Sequence, residues 1–215
     1  GAAFWPDEPH FTAADVRAQL EGQTDVTVHV NSGGGIAGDG LAIYHLLRDH
    51  PGTVTMIVTG VAVSAASLLV MAADTLIMRE GSMLMIHDPA RDMTDGRGTE
   101  DDHLAAAEFL AKLSAGYASI YATRAGISPE AAREIMRAET WYSPEEAVAA
   151  GFADAVESID AEAPAAFAYG AYTHAPRQLL AGTRARNPGR RAVLAMMCGH
   201  PAPNPKENTM KPKMT

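Results

Sequence analysis

The chain has 215 residues, 47% hydrophobic and 20% charged, an ordinary balance for a globular protein with room for one sizeable core. A net charge of −9 argues against non-specific nucleic-acid binding, and no apolar run approaches the ~20 residues of a membrane span. The single cysteine, Cys198, excludes an internal disulfide, and GAAFWPDEPH at the N-terminus has no basic region ahead of an apolar core, so a cytoplasmic protein is expected.

From the N-terminus, Thr12 caps a short helix that begins at Ala13. VTVHV (26–30) is a β-branched strand that runs into the glycine-rich NSGGGIAGDG, and a helix over 42–48 stops before Pro51. VTMIVTG (54–60) is a second strand, leading through GVAVS into the small-residue helix SAASLLVMAA. TLIM (75–78) and SMLMIH (82–87) read as strands separated by a charged turn. A long helix is expected from Asp101 to about Arg124, with apolar residues at Leu104, Phe109, Leu110, Leu113, Tyr117 and Tyr121. A further helix spans 129–137. Over 143–151 Ser143 caps, Pro144 opens the first turn, Glu146 completes a capping box and Gly151 ends the helix. Strands alternating with helices predict an α/β fold with mainly parallel pairing.

Beyond about residue 156 the composition changes. Eight basic residues against four acids give this stretch a charge of +4, and its end, PGRRAVLAMMCGHPAPNPKENTMKPKMT, is proline-rich and aperiodic. A body over 1–156 and a basic, poorly ordered tail over 157–215 are expected.

Three strand exits carry the candidate chemistry. The first is Gly33-Gly34-Gly35, where backbone N–H groups can face a bound carbonyl without interference from Cβ. A dinucleotide loop would need an acidic residue about 20 positions on, where His50 and Pro51 stand, and a phosphate-cradling loop would need a lysine; a tight structural turn stays open. The second is Ser64, either a helix N-cap or a nucleophile at a helix start, with the N–H of Ala65 beside it as an oxyanion donor. The third is His87, which ends an apolar strand ahead of Asp88-Pro89, so its imidazole is either structural or a base within reach of a neighbouring strand exit.

The order and content of VNSGGG, GVAVSAASLLVMAAD, SMLMIHDP and ETWYSPEEAVAAGFAD resemble the Clp protease proteolytic subunit family over residues 12–156, in wording nearest the Clp-like phage head-maturation (prohead) proteases. The resemblance implies a crotonase-like α/β fold of stacked β-β-α turns, with the helix from Asp101 as a handle between stacked homo-oligomeric rings. It implies Ser64 as nucleophile, His87 as base, Gly34 and Ala65 as oxyanion donors, and Gly35 beside them in substrate binding. Substrate would be polypeptide, supplied by a separate ATPase unfoldase or, in a host cytoplasm, consisting of phage capsid or scaffold protein. Cofactor and metal are not called for, nor membrane or nucleic acid as partner.

Three departures stand out. Gly33 replaces the family's proline, Glu139 stands where the family has the aspartate of its triad, and the family's first strand and axial loop have no counterpart before residue 12. Glutamate can orient a histidine as aspartate does, so Glu139 is the expected third member; a surface carboxylate there, or a role passed to Asp88, are the alternatives. Two other classes compete: a crotonase-type acyl-CoA enzyme, which would need neither Ser64 nor His87, and an inactive capsid-assembly component. A Ser–Lys peptidase is disfavoured because Lys112 is the one lysine of the body.

Overall fold

The computed structural model describes residues 11–90 and 98–183. Cys198, the first ten residues and the tail from 184 onward lie outside them. Among the described residues the helices are α1 (Ala13–Leu20), α2 (Ala37–Arg48), α3 (Ala65–Val70), α4 (Glu100–Ala125), α5 (Pro129–Arg137), α6 (Pro144–Ala149) and α7 (Arg177–Thr183). The strands are β1 (Val26–Ser32), β2 (Val54–Val63), β3 (Thr75–Glu80), β4 (Met83–Ile86), β5 (Thr140–Tyr142) and β6 (Ala155–Asp160), with a 3-10 turn at Tyr169–Ala171. The chain is α/β, as expected, and among the described residues every strand pairing is parallel except β4 with β5.

Strand β2 organises the sheet. Its first half, Val54–Val58, pairs with β1 on one side and β3 on the other, while Val61–Val63 pairs with β4. Between the halves the β1 register breaks at Asn31, whose Oδ1 accepts the N–H of Val61 at 3.2 Å and so replaces a ladder bond. Three strands therefore end close together, and the segments leaving β1, β2 and β4 hold the glycine run, Ser64 and His87. The core beneath them is continuous: Met56, Val58, Leu68, Leu76, Met78, Leu84 and Ile86 are all fully buried. Six residues of α3, Ala65 to Val70, are buried as well, which explains why this helix is built from small and aliphatic side chains.

Helix α2 starts five residues before its expected onset. Gly40 lies inside it because a Cβ there would sit 2.9 Å from the Cβ of Ala65, so α2 can pack directly on α3. Helix α4 spans 26 residues, about 39 Å at the usual rise, between a capping box at Thr99 and a left-handed cap at Gly126. Its second half buries Tyr117 and Tyr121, and Arg124 anchors it by donating to the carbonyls of Ala73 and Phe152. In its first half Ala106 is buried, but Leu104 is 60% and Phe109 57% exposed, although the spacing aligns them with the buried tyrosines.

The change of character expected at 156–157 falls inside β6, which pairs with β3 from Ala155 to Asp160. Residues 161–180 then return across the sheet, burying Tyr169 and Leu179 against Val61, Val63 and Met85. This part of the expected tail is packed because its aromatic residues find an apolar surface that β2 and β4 leave uncovered by the main core. No helix among the described residues is long and apolar enough to cross a membrane.

Candidate active site

Ser64 stands in the N-cap position of α3 but makes no capping bond with its side chain. Its hydroxyl instead lies 2.7 Å from Nε2 of His87, a separation normal for a serine hydroxyl bonded to imidazole. The backbone explains the aim. Ser64 has φ 58° and ψ −126°, a region costly for any residue with a Cβ, and its own N–H is tied to the carbonyl of Met85 at 3.1 Å. That bond locks the end of β2 to β4, two residues before His87. The strained turn lifts the hydroxyl off the helix axis and presents it to the imidazole. Behind it, the Ser67 hydroxyl donates to the Ser64 carbonyl at 2.7 Å and lies 2.8 Å from the Tyr121 hydroxyl, so the backbone of Ser64 is braced from the core.

His87 is largely desolvated. Burial pushes its pKa below the ordinary 6.5, while the charges of Glu139 and Asp88 act in the opposite sense and do not overcome it. The imidazole is therefore neutral near neutrality and able to accept a proton.

The glycine loop lies beside the pair. Gly34 has φ +101°, and a Cβ on it would meet the carbonyl of Val63 at 2.7 Å and the Cβ of Ser64 at 2.8 Å, so the loop reaches the serine only because glycine is there. The N–H of Ala65 sits on the same side, 3.3 Å from that Cβ position. The N–H of Gly34 donates to the Ser32 hydroxyl at 3.2 Å. Gly35 follows, between Gly34 and the start of α2.

The acid expected to orient His87 is placed differently. Glu139, itself at a positive φ of 49°, makes no hydrogen bond to the imidazole. Its carboxylate accepts the N–H groups of Thr173 at 2.8 Å and His174 at 2.5 Å, with the Trp141 indole at 3.5 Å. It acts on His87 through space. Asp88, the alternative, is occupied by the guanidinium of Arg133 on α5.

Three residues at the site escaped the sequence reading. Tyr172 sets its ring edge-on to His87, with centroids 5.2 Å apart, and its hydroxyl donates to the Gly33 carbonyl at 2.9 Å. Burial pushes this phenol up to about 12; the Ser64 hydroxyl opposes the shift and the Glu139 charge adds to it. Phe167 stacks on Tyr172 at 5.8 Å and covers Gly33. Asn31 holds the returning segment, donating to the Ala163 carbonyl at 3.0 Å and accepting the Ala165 N–H at 2.8 Å. Asn31 was visible within VNSGGG; Phe167 and Tyr172 lie in an aperiodic stretch with no signal to mark them.

Comparison with known proteins matches residues 15–160 to the Clp protease family model. The ATP-dependent Clp protease proteolytic subunit 1 of Streptomyces avermitilis is 31% identical over 149 residues, covering 68% of this chain and 67% of that protein. The corresponding subunit of Streptococcus agalactiae is 31% identical over 134 residues, 61% of this chain and 68% of that protein. Among solved structures, a ClpP1 mutant from Listeria monocytogenes superposes with a TM-score of 0.61 at 23% identity, over 68% of this chain and 84% of that one, which shows the same fold.

Proposed function

We infer, from the premise that the chain belongs to the Clp protease family of peptidases, that it is a serine endopeptidase with Ser64 as nucleophile and His87 as base. The observation that carries this reading is the 2.7 Å bond between the Ser64 hydroxyl and Nε2 of His87 at a strained strand-to-helix turn. A serine placed there as a cap would bond to the helix N–H groups, and it does not. A crotonase-type acyl-CoA enzyme has no use for the pair, and an inactive assembly component has no reason to keep Ser64 in a costly backbone conformation.

The reaction is acyl transfer. As the Ser64 oxygen attacks a peptide carbonyl carbon, His87 takes the hydroxyl proton through Nε2, and the carbonyl oxygen becomes an oxyanion held by the N–H groups of Ala65 and Gly34. Each such donor contributes about 3–4 kcal/mol in comparable sites. His87 then gives the proton to the departing amine, leaving an acyl-Ser64 ester. Water, deprotonated by the same imidazole, releases the acid and restores the serine. Glu139 stabilises the imidazolium formed in both halves, since its charge favours the protonated ring.

The exposed apolar first half of α4, with Leu104 and Phe109, supports pairing between subunits of a homo-oligomer of stacked rings. The substrate is polypeptide. The relatives are named ATP-dependent, which supports delivery by a separate unfoldase; phage capsid or scaffold protein, cut without an ATPase in a host cytoplasm, is the competing source that the sequence resemblance favours. Co-purification of the tagged chain from its host separates them, a stoichiometric ATPase supporting the first and none the second. The peptidase reading itself is tested with denatured casein and fluorogenic peptides. The parent chain should cleave at a rate lost in Ser64→Ala; equal cleavage by both would overturn it.

A further inference from the structure

We propose that residues 161–175 form an inhibitory strap, a segment of the chain's own polypeptide bound in cis across the substrate cleft, and that Glu139 is its latch. The inference rests on the peptidase reading above. The family match ends at residue 160, and the strap begins with the next residue. It leaves β6 with the Ala161 N–H on the Glu80 carbonyl at 2.8 Å and the Glu162 N–H on the Thr59 carbonyl at 2.5 Å. Asn31 then grips it as a bound peptide is gripped, one side chain satisfying the Ala163 carbonyl and the Ala165 N–H together.

The next residues lie on the reacting groups. A Cβ at Gly33 would come within 2.2 Å of the Phe167 ring, so that ring rests directly on the glycine loop. Tyr172 stands against His87 and bonds to the Gly33 carbonyl, while Tyr169 fills an apolar pocket with Val61, Val63 and Met85. A polypeptide cannot lay its backbone along the glycine loop and bring a carbonyl to Ser64 while Phe167 and Tyr172 remain there. The strap, Ala-Ala-Phe-Ala-Tyr over 165–169, also shows what the cleft accepts: small residues around aromatic anchors.

Glu139 couples strap to chemistry. Its two oxygens are taken by the Thr173 and His174 N–H groups, and while they hold it the carboxylate makes no hydrogen bond to the imidazole. Release of the strap opens the cleft and frees Glu139 to turn to His87. Covering the site and withholding the orienting acid are one event.

The test compares the full chain with Phe167→Ala/Tyr172→Ala by the rate at which a fluorophosphonate modifies Ser64. A site closed nine-tenths of the time reacts about tenfold below its open rate, so the variant should react about tenfold faster or more; reaction at the parental rate or slower overturns the strap. A second readout does not depend on catalysis. In a Ser64→Ala background, a fluorescein-labelled peptide with the sequence of residues 161–175 should bind the double variant about tenfold tighter than the parent, since the cis segment competes with it. Equal affinity overturns the strap, whereas failure of every form to react with the fluorophosphonate sinks the peptidase reading alone. Should the double variant lose its far-UV circular dichroism, Ala165→Pro, which removes the N–H given to Asn31, takes its place in both measurements with the same outcomes.

Discussion

Ser64 occupies the N-cap position of α3 while its side chain caps nothing, and that inversion of a common role is the centre of the site. The strain at φ 58° is of the order of 1–3 kcal/mol, and it is held by the Ser64 N–H to Met85 carbonyl bond and by Ser67 behind. Ser64→Ala and His87→Ala should each lower peptide cleavage by about 10⁴-fold or more, and the double variant scarcely further, because the two act as a unit; initial rates on a fluorogenic peptide check this. The pH profile has a defined sign. Since burial depresses His87, the base is available down to a pH below the ordinary 6.5, and the acid limb of kcat/KM should lie below that value. The same shift contributes stability above 6.5 that is lost as pH falls below it, where the unfolded chain takes up the proton more readily than the folded one. Glu139 raises the His87 pKa, so Glu139→Gln should move the acid limb further down. An upward move would show that the carboxylate is not acting on the imidazole.

Helices and strands set these residues by close packing, and here the sequence was readable to different depths. β1 and β2 stand out from β-branched runs, β4 from an apolar run ahead of Asp88-Pro89 and α6 from an explicit capping box, and with them the positions of Ser64 and His87. The onset of α2 does not, because Gly38 and Gly40 read as loop; Gly40 is required by the approach to Ala65, a tertiary contact that no local pattern announces. Gly40→Val should therefore cost about 1–3 kcal/mol in urea unfolding and disturb Ala65 beside the nucleophile, lowering cleavage as well. Tyr121→Phe tests the brace from the other side. It removes the hydroxyl that meets Ser67 and should cost about 1 kcal/mol. The partnership of Glu139 was legible only as a carboxylate in the right order; that its oxygens hold Thr173 and His174 depends on a segment whose alanine-rich sequence carries no period.

At the scale of the whole molecule, the described chain is one core with a second, smaller apolar cluster where residues 161–180 close over β2 and β4. Composition averages those residues into a tail, since the bases and prolines beyond residue 183 dominate the whole stretch from 157 to 215; Tyr169 and Leu179, within it, are buried. A separate exposed apolar surface lies on the first half of α4, at Leu104 and Phe109. Phe109→Glu, placed at a 57% exposed apolar position, should lower the sedimenting mass of the protein if rings pair there, and an unchanged mass would remove α4 from the assembly. The most direct measurement is the mass of the chain after reaction with a fluorophosphonate, followed by peptide mapping. The account predicts one adduct per chain, on Ser64, formed faster when Phe167 and Tyr172 are replaced by alanine and absent in His87→Ala. An adduct on another serine, or none in the parent and the strap variant alike, would contradict it.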